Sequence, residues 1–352
     1  MGNLKKENSG KMKRRWFILL VVAALSTACS NDIDIFADYK QMPIVYGLLD
    51  ARADTNYVKI TRAFYAPDDT YLAAANPDSS NYPGRLDVRL VEYRNGDSVR
   101  EIVLDTITIH NKQEGLFYAP SQKLYYTAEP LNHNGSGAQY HYRLKAVLPD
   151  RVLTTETDMV GNGGFGVQSL GVNFSKEYFG TNRPFLFRPA ANASIYQVTM
   201  AFTFKEQRTP DGDTIPRTFS WEIGTYTDEY LSKHMDGDCY VFTYRPENFY
   251  AKLKEFVGDD SLTQGVSRFI SDYPVEVDIT AGGEKLMQYI YHNDATYGFS
   301  AGDPEFSLID GGYGVFSSRM TAVGNIRLAG ETVPELVAMP RWGFVFIGGR
   351  EE

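Results

Sequence analysis

Histidines, cysteines, serines and clustered carboxylates are the side chains here that could carry chemistry, and their spacing decides which reactions are open. The five histidines are His110, His133, His141, His234 and His292. A zinc site on a helix needs a histidine pair at i, i+4; no such pair occurs, and no histidine neighbours a cysteine. Asp105 and His110 would need a serine from elsewhere to form a triad, and no G-x-S-x-G elbow supplies one. Carboxylates cluster at Asp68-Asp69, Asp236-Gly237-Asp238 and Asp259-Asp260. Calcium takes roughly six to eight converging oxygens, and "HMDGDCY" lacks the length and distal Glu of an EF-hand loop. Each cluster therefore reads as a turn or a helix cap. "GNGGFG", residues 161–166, lacks the Lys-Ser/Thr pair and the following helix of a phosphate loop, and reads as a hinge. Cys239 is expected to be a small buried apolar residue. The spacings assign no catalytic residue, no metal and no cofactor, so the chain is not expected to be an enzyme.

The other cysteine, Cys29, has a different setting. Lys5, Lys6, Lys11, Lys13, Arg14 and Arg15 precede an apolar run of 13 residues, Trp16 to Ala28. Crossing a bilayer takes roughly 20 apolar residues, so this run reads as the core of a signal peptide. Ser26, Thr27 and Ala28 lead into Cys29 in a way that resembles the lipobox of bacterial lipoproteins. That resemblance implies cleavage before Cys29 and acylation of its thiol, which would anchor the chain in a membrane. Ser26 stands where Leu is usual, with Leu25 one place further back, and this looser form resembles the boxes of Bacteroidota. Ordinary cleavage after Ala28, with Cys29 incidental, is the alternative. Ser30-Asn31-Asp32-Ile33-Asp34 resembles the surface-export signal of Bacteroidota lipoproteins, which implies an outer-membrane, outward-facing location. Its alternative is a solvated acidic leader.

Removal of residues 1–28 takes six of the 35 Lys/Arg and one of the 44 Asp/Glu, leaving 29 basic and 43 acidic residues and a net charge of −14. Nucleic acids and anionic lipids require a basic face, so this balance disfavours both as partners. One remaining thiol cannot close an intrachain disulfide with a lipidated Cys29, so stability must come from the core.

Period-two alternation marks half-buried strands. "NYVKITRAF" sets Val58 and Ile60 against Lys59 and Thr61. "RLDVRLVEY" turns Leu86, Val88 and Leu90 inward, and "YHYRLKAVL" does the same with Tyr140, Tyr142, Leu144 and Ala146. Asn95-Gly96 between two such runs predicts a hairpin. Asp211-Gly212 predicts a second, between "YQVTMAFTFKEQ" and "RTFSWEIGTY". Short helices are predicted in "TDEYLSKHMDG", ended by Gly237, and in "PENFYAKLKEFVG", started by Pro246 and ended by Gly258. The resulting organisation is mainly β. It comprises a signal peptide (1–28), an acidic leader (29–42), an immunoglobulin-like β-sandwich (43–160), a Gly-rich boundary (161–170) and a larger β-rich domain with a few short helices (171–352).

Val45, Gly47 and Leu49, followed by Arg62 and Tyr65, resemble the opening of the Bacteroidota lipoproteins grouped as domain of unknown function 4249. Gly311-Gly312, Gly314, Val315 and Phe316 resemble that group's C-terminal "GG-x-G-V-F". The resemblance implies an outer-membrane lipoprotein, often accompanied by TonB-dependent receptors, with no catalytic residues to transfer. Asp97-Ser98-Val99, Asp105-Thr106-Ile107, Asp213-Thr214-Ile215 and Asp260-Ser261-Leu262 resemble the Bacteroidota O-glycosylation sequon, which makes Ser98, Thr106, Thr214 and Ser261 candidate acceptors. The loop from Tyr65 to Gly84 and the aromatic patch Phe117, Tyr118, Tyr125 and Tyr126 are the expected partner contacts. The function expected is a non-catalytic accessory or binding partner of a TonB-dependent receptor in nutrient uptake. The alternative is a fimbrillin-like structural subunit of a surface appendage, with "RWGFVFIGGREE" as an exchangeable strand.

Overall fold

The computed structural model describes residues 42–64, 70–115, 118–135, 137–161, 163–258, 265–293 and 307–347. Residues 1–41 lie outside them, and with them the expected signal peptide (1–28), Cys29 and all but the last residue of the expected acidic leader (29–42). The described chain is mainly β. Its first half supplies β1 (Pro43–Leu49), β2 (Asn56–Arg62), β3 (Asp87–Arg94), β4 (Asp97–Val103), β5 (Asp105–Ile109), β6 (Gln122–Thr127), β7 (Tyr140–Val147) and β8 (Val152–Asp158). After Gly161 come β9 (Gly166–Val167), β10 (Gly171–Val172), β11 (Arg183–Arg188), β12 (Ile195–Gln207), β13 (Ile215–Thr227), β14 (Met235–Asp236) and β15 (Cys239–Tyr244). The chain closes with β16 (Ser267–Ile270), β17 (Val275–Gly282), β18 (Tyr313–Leu328) and β19 (Phe344–Phe346).

The alternation seen in the sequence sets the burial. Val58 and Ile60 turn inward from β2, Val88 and Leu90 from β3, and Tyr142, Leu144 and Ala146 from β7. The first hairpin closes through Asn95 (φ 53°) and Gly96 (φ 95°), with Arg94 opposite Asp97. Two consecutive positive φ values are what a two-residue turn matched to strand twist requires. The second predicted hairpin is also present, as β12 and β13.

The main sheet runs β19-β16-β12-β17-β18-β1-β2-β6-β5, with β10 on β18 and β13 on β12. A four-stranded sheet runs β4-β3-β7-β8, and another β14-β15-β11-β9. One buried core joins Val45, Val58 and Phe316 of the main sheet to Val88, Leu144 and Leu153 of the β4-β3-β7-β8 sheet. A larger core gathers apolar side chains between Val160 and Phe344, apart from Ile309 and Phe316, which belong to the first. The cores thus change over between Met159 and Val160, next to the expected boundary. The sheet does not break there. β18 pairs in parallel with β1 through Tyr313–Ser318 and antiparallel with β17 through Arg319–Ile326, so one strand serves both cores. The described residues fall within one compact unit.

Six α-helices occur among the described residues. The long loop after β2 folds into α1 (Thr70–Ala75) and α2 (Pro77–Ser80). The Ala73–Ala75 run favours helix, and Asn76 caps the second turn by accepting from Asp78 N, with Pro77 at the first helical position. Arg62 fixes α2 by donating to Ser79 O at 3.2 Å and Asp78 O at 2.8 Å. α3 (Asp228–Leu231) is shorter than its sequence predicts. Gly237 (φ 60°) forms a turn instead of ending a helix, and Met235-Asp236 become β14 against Cys239-Tyr240. α4 (Pro246–Val257) matches the expected bounds and buries Phe249 and Leu253. α5 (Glu284–Asn293) and α6 (Thr332–Val337) complete the set. No described helix is long and apolar enough to cross a membrane.

Candidate functional site

Strand register places Tyr46 beside Lys59, Tyr57 beside Tyr126, and Ile107 beside Leu124, all on the face of the main sheet opposite the smaller core. α5 covers part of this face. Tyr289 meets Tyr46 edge-on at 6.1 Å, and burial with the Tyr289 hydrogen bond pushes the Tyr46 phenol up to about 12. On the β2-β6-β5 side the face is open. Tyr57 is 44% exposed and Ile107 38%, and the Tyr57 and Tyr126 rings lie 6.3 Å apart. Lys59 donates to Gln122 Oε1 at 3.0 Å, and Asp105 lies beside Tyr126, so polar groups border the rings. Two rigid rings, a branched side chain and a lysine stem suit a protein or sugar contact, because rings bury much area with little conformational freedom to lose.

The expected aromatic patch is rearranged. Tyr125 is 1% exposed, and its hydroxyl accepts from Leu86 N at 3.1 Å, so it is a core residue. Alternation within β6 turns Tyr125 inward and Tyr126 outward. Tyr118 is half-buried, with its N–H donating to Ala74 O at 2.9 Å and its carbonyl accepting from Lys112 Nζ at 2.6 Å. Phe117 lies outside the described residues. Tyr57 and Ile107 were absent from the expected contact set, although the alternation of "NYVKITR" already puts Tyr57 on the face of Lys59.

A polar groove of about 350 Å³ lies along the free edge of β8, lined by His141, Glu156, Asp158, Asn192, Ser194 and Lys285 among others. His141 Nδ1 is 3.0 Å from Asp158 Oδ1, and its Nε2 is 3.3 Å from Glu156 Oε2. Arg143 also reaches Glu156 at 2.9 Å, and its guanidinium holds the Glu156 carboxyl below the usual range, aided by His141. Lys285 Nζ donates to Glu156 O at 2.6 Å, and Ser318 Oγ donates to Asp158 O at 2.6 Å. Burial lowers the Lys285 pKa against the opposing pull of Glu156, Asp158 and Glu284. The nearest hydroxyl on β8, Thr157 Oγ1, donates to Asp158 O at 3.1 Å and is not aimed as a nucleophile. Most charges of the groove are thus committed to one another, and they cap an edge strand that would otherwise invite pairing with another chain.

The remaining histidines stand apart. His110 meets Ser121 Oγ at 2.8 Å, His133 meets Asn134 O, and His234 stacks on Tyr230. Among the described residues no group of three or more His, Cys, Asp or Glu side chains is placed to hold a metal ion. Cys239 is buried, and desolvation raises its thiol pKa. Ser98 is exposed at the start of β4 and Thr214 is exposed before β13, whereas Thr106 is half-buried. Ser261 lies outside the described residues.

No family model matches this chain, and no curated protein matches it.

Proposed function

We propose that the chain is a lipid-anchored outer-membrane protein, held through Cys29 and facing outward, that acts as a non-catalytic accessory or binding partner of a TonB-dependent receptor in nutrient uptake. The observation that carries this reading is the basic front, the Trp16–Ala28 run and the small residues before Cys29. The likeness to domain of unknown function 4249 supports it. The two motifs of that likeness are strand neighbours, with Val45 opposite Gly314 and Gly47 opposite Phe316, so both have a structural reason to exist. The first half is read as an immunoglobulin-like sandwich whose outer face, at Tyr57, Tyr126 and Ile107, meets the partner. Ser98 and Thr214 are the best-presented candidates for O-glycosylation.

Membrane fractionation tests the anchor: Cys29→Ala should release the protein, and retention after a carbonate wash would overturn the reading. Gentle extraction of the wild type should copurify a large outer-membrane receptor, and the pair Tyr57→Ala and Tyr126→Ala should weaken that recovery. A polymer ladder in place of a receptor would favour the appendage-subunit alternative. Against that alternative, the C-terminal strand β19 pairs with β16, and Trp342 and Phe344 are buried. Intact mass from the native host showing no added hexose would remove the glycosylation proposal.

A further inference from the structure

We infer that the recess between β12, β13, β16 and the end of α4 binds a small organic anion, with a carboxylate head on an apolar body. This inference is independent of the lipid anchor and of any receptor partner. The recess has a volume of about 280 Å³, and Glu206, Arg208, Arg217 and Arg268 supply its polar lining. Three guanidinium groups facing one carboxylate are unusual in a chain with a net charge of −9.

Arg268 is the deepest of them, at 3% exposure. Its Nε donates to Glu206 Oε2 at 3.1 Å and its Nη1 to Trp342 O at 2.6 Å. Its Nη2 makes no hydrogen bond among the described residues, so a donor of this mostly buried guanidinium is left open to the recess that Arg268 lines. Glu206, itself buried, is already shared, because Arg208 Nε donates to its Oε1 at 3.1 Å. Arg217 has no carboxylate partner among the described residues and lies 5.0 Å over the ring of Phe256, a contact that positions its charge without neutralising it. Burial foremost lowers the Arg268 pKa, against the pull of Glu206 and with a smaller push from Arg217 and Arg208.

The other walls are Phe204, Phe256, Val257 and Val266. A planar carboxylate fits the forked donors of guanidinium groups, and an apolar body fits these walls. A fully hydrated phosphate or sulfate would use the charge but not the walls.

The test is calorimetric titration of the full chain at low ionic strength with benzoate, inorganic phosphate and benzyl alcohol. Benzoate should bind saturably and weaken with added salt, phosphate should bind less tightly, and benzyl alcohol should not bind. Arg217→Gln, which leaves the Glu206–Arg268 pair intact, should weaken benzoate by about tenfold or more without moving the unfolding midpoint. Arg188→Gln, on a different strand with its partner Asp238, should leave benzoate affinity unchanged. Absence of saturable benzoate binding, equal affinity for benzyl alcohol or phosphate, or unchanged benzoate affinity in Arg217→Gln would each overturn the inference.

Discussion

Around Val88, Leu90 and Leu144 the first core is filled mostly by branched aliphatic side chains, whereas around Phe174, Phe202 and Phe249 the second is filled by rings. Among the described residues, 4 of the 20 buried members of the first are aromatic, against 16 of the 33 of the second. Two sheets facing each other leave a gap of about 10 Å, which Val, Ile and Leu fill well. The second core must also fill the space between a sheet, a smaller sheet and α4. Rings do this in defined geometries, with Phe174 stacked on Phe249 at 4.4 Å and Phe202 edge-on to Phe249 at 5.1 Å. The ring-rich core also takes in hydroxyls that need partners. Tyr240 donates to Asp228 at 2.7 Å and Tyr250 to Glu335 at 2.8 Å. The two cores therefore differ in what should disturb them, and they share β18.

The largest expected effect strikes the shared strand. A Cβ on Gly314 (φ 102°) would sit 2.0 Å from Val45 O. Gly314→Val should cost more than ~4 kcal/mol, because both the backbone conformation and the close strand approach forbid it. Circular dichroism and soluble yield should show loss of the folded state, and a folded variant of near wild-type stability would mean that β1 and β18 are not tightly joined.

Next in size are cavities within one core. Phe249→Ala should cost ~3–5 kcal/mol and Leu144→Ala ~2–5 kcal/mol. Because β18 belongs to both cores, each variant should lower a single denaturant transition. Two separated transitions would show instead that the cores unfold independently.

Alkali should strike both cores, because burial and Glu92 also hold the Tyr142 phenol of the first above its ordinary range. Burial foremost, with help from the Asp228 and Glu335 carboxylates, holds the Tyr240 and Tyr250 phenols well above their ordinary range. Burial does the same for Tyr196. A phenol whose folded pKa is raised contributes its full stability below the unfolded value of about 10 and loses it as pH rises through and beyond that value. The unfolding midpoint should therefore fall above pH ~10, and Tyr250→Phe should flatten the decline. An unchanged slope would mean that Tyr250 is not protected by burial.

In the first core, Tyr142 donates to Glu92 Oε2 at 2.6 Å, beside Arg100 and Asn132 on the same carboxylate. Tyr142→Phe should cost only ~1–2 kcal/mol, because Glu92 keeps its other donors. Tyr57→Ser should move stability by less than ~0.5 kcal/mol, as befits an exposed site, and a larger loss would place Tyr57 in the packing.

The strands of the first half were legible because period-two alternation is a local signal. Asn95-Gly96, Pro246 and Gly258 were legible because their backbone requirements are local too. The role of β18 was not. Nothing local says that Gly314 lies against Val45 or that Phe316 fills the space beside Gly47. Tyr125 and Tyr126 are adjacent rings, and only the register of β6 tells which is core and which is surface. The arginine recess was equally hidden, since Arg208, Arg217 and Arg268 come from a loop and two strands and their meeting depends on long-range pairing.

The parallel join of β1 to β18 also sets an order of events. β1 is the first of the described strands, yet one of its two neighbours, β18, comes late in the described residues. Contacts between residues so distant in sequence form slowly, because the intervening chain must be closed into a loop first. During that interval β1 can pair with β2 while its other edge stays open, and an open edge can be taken by a neighbouring chain. Late arrival of Tyr313–Ser318 would then be the step that separates productive folding from aggregation, and truncation before Tyr313 should leave a sticky chain rather than a smaller domain.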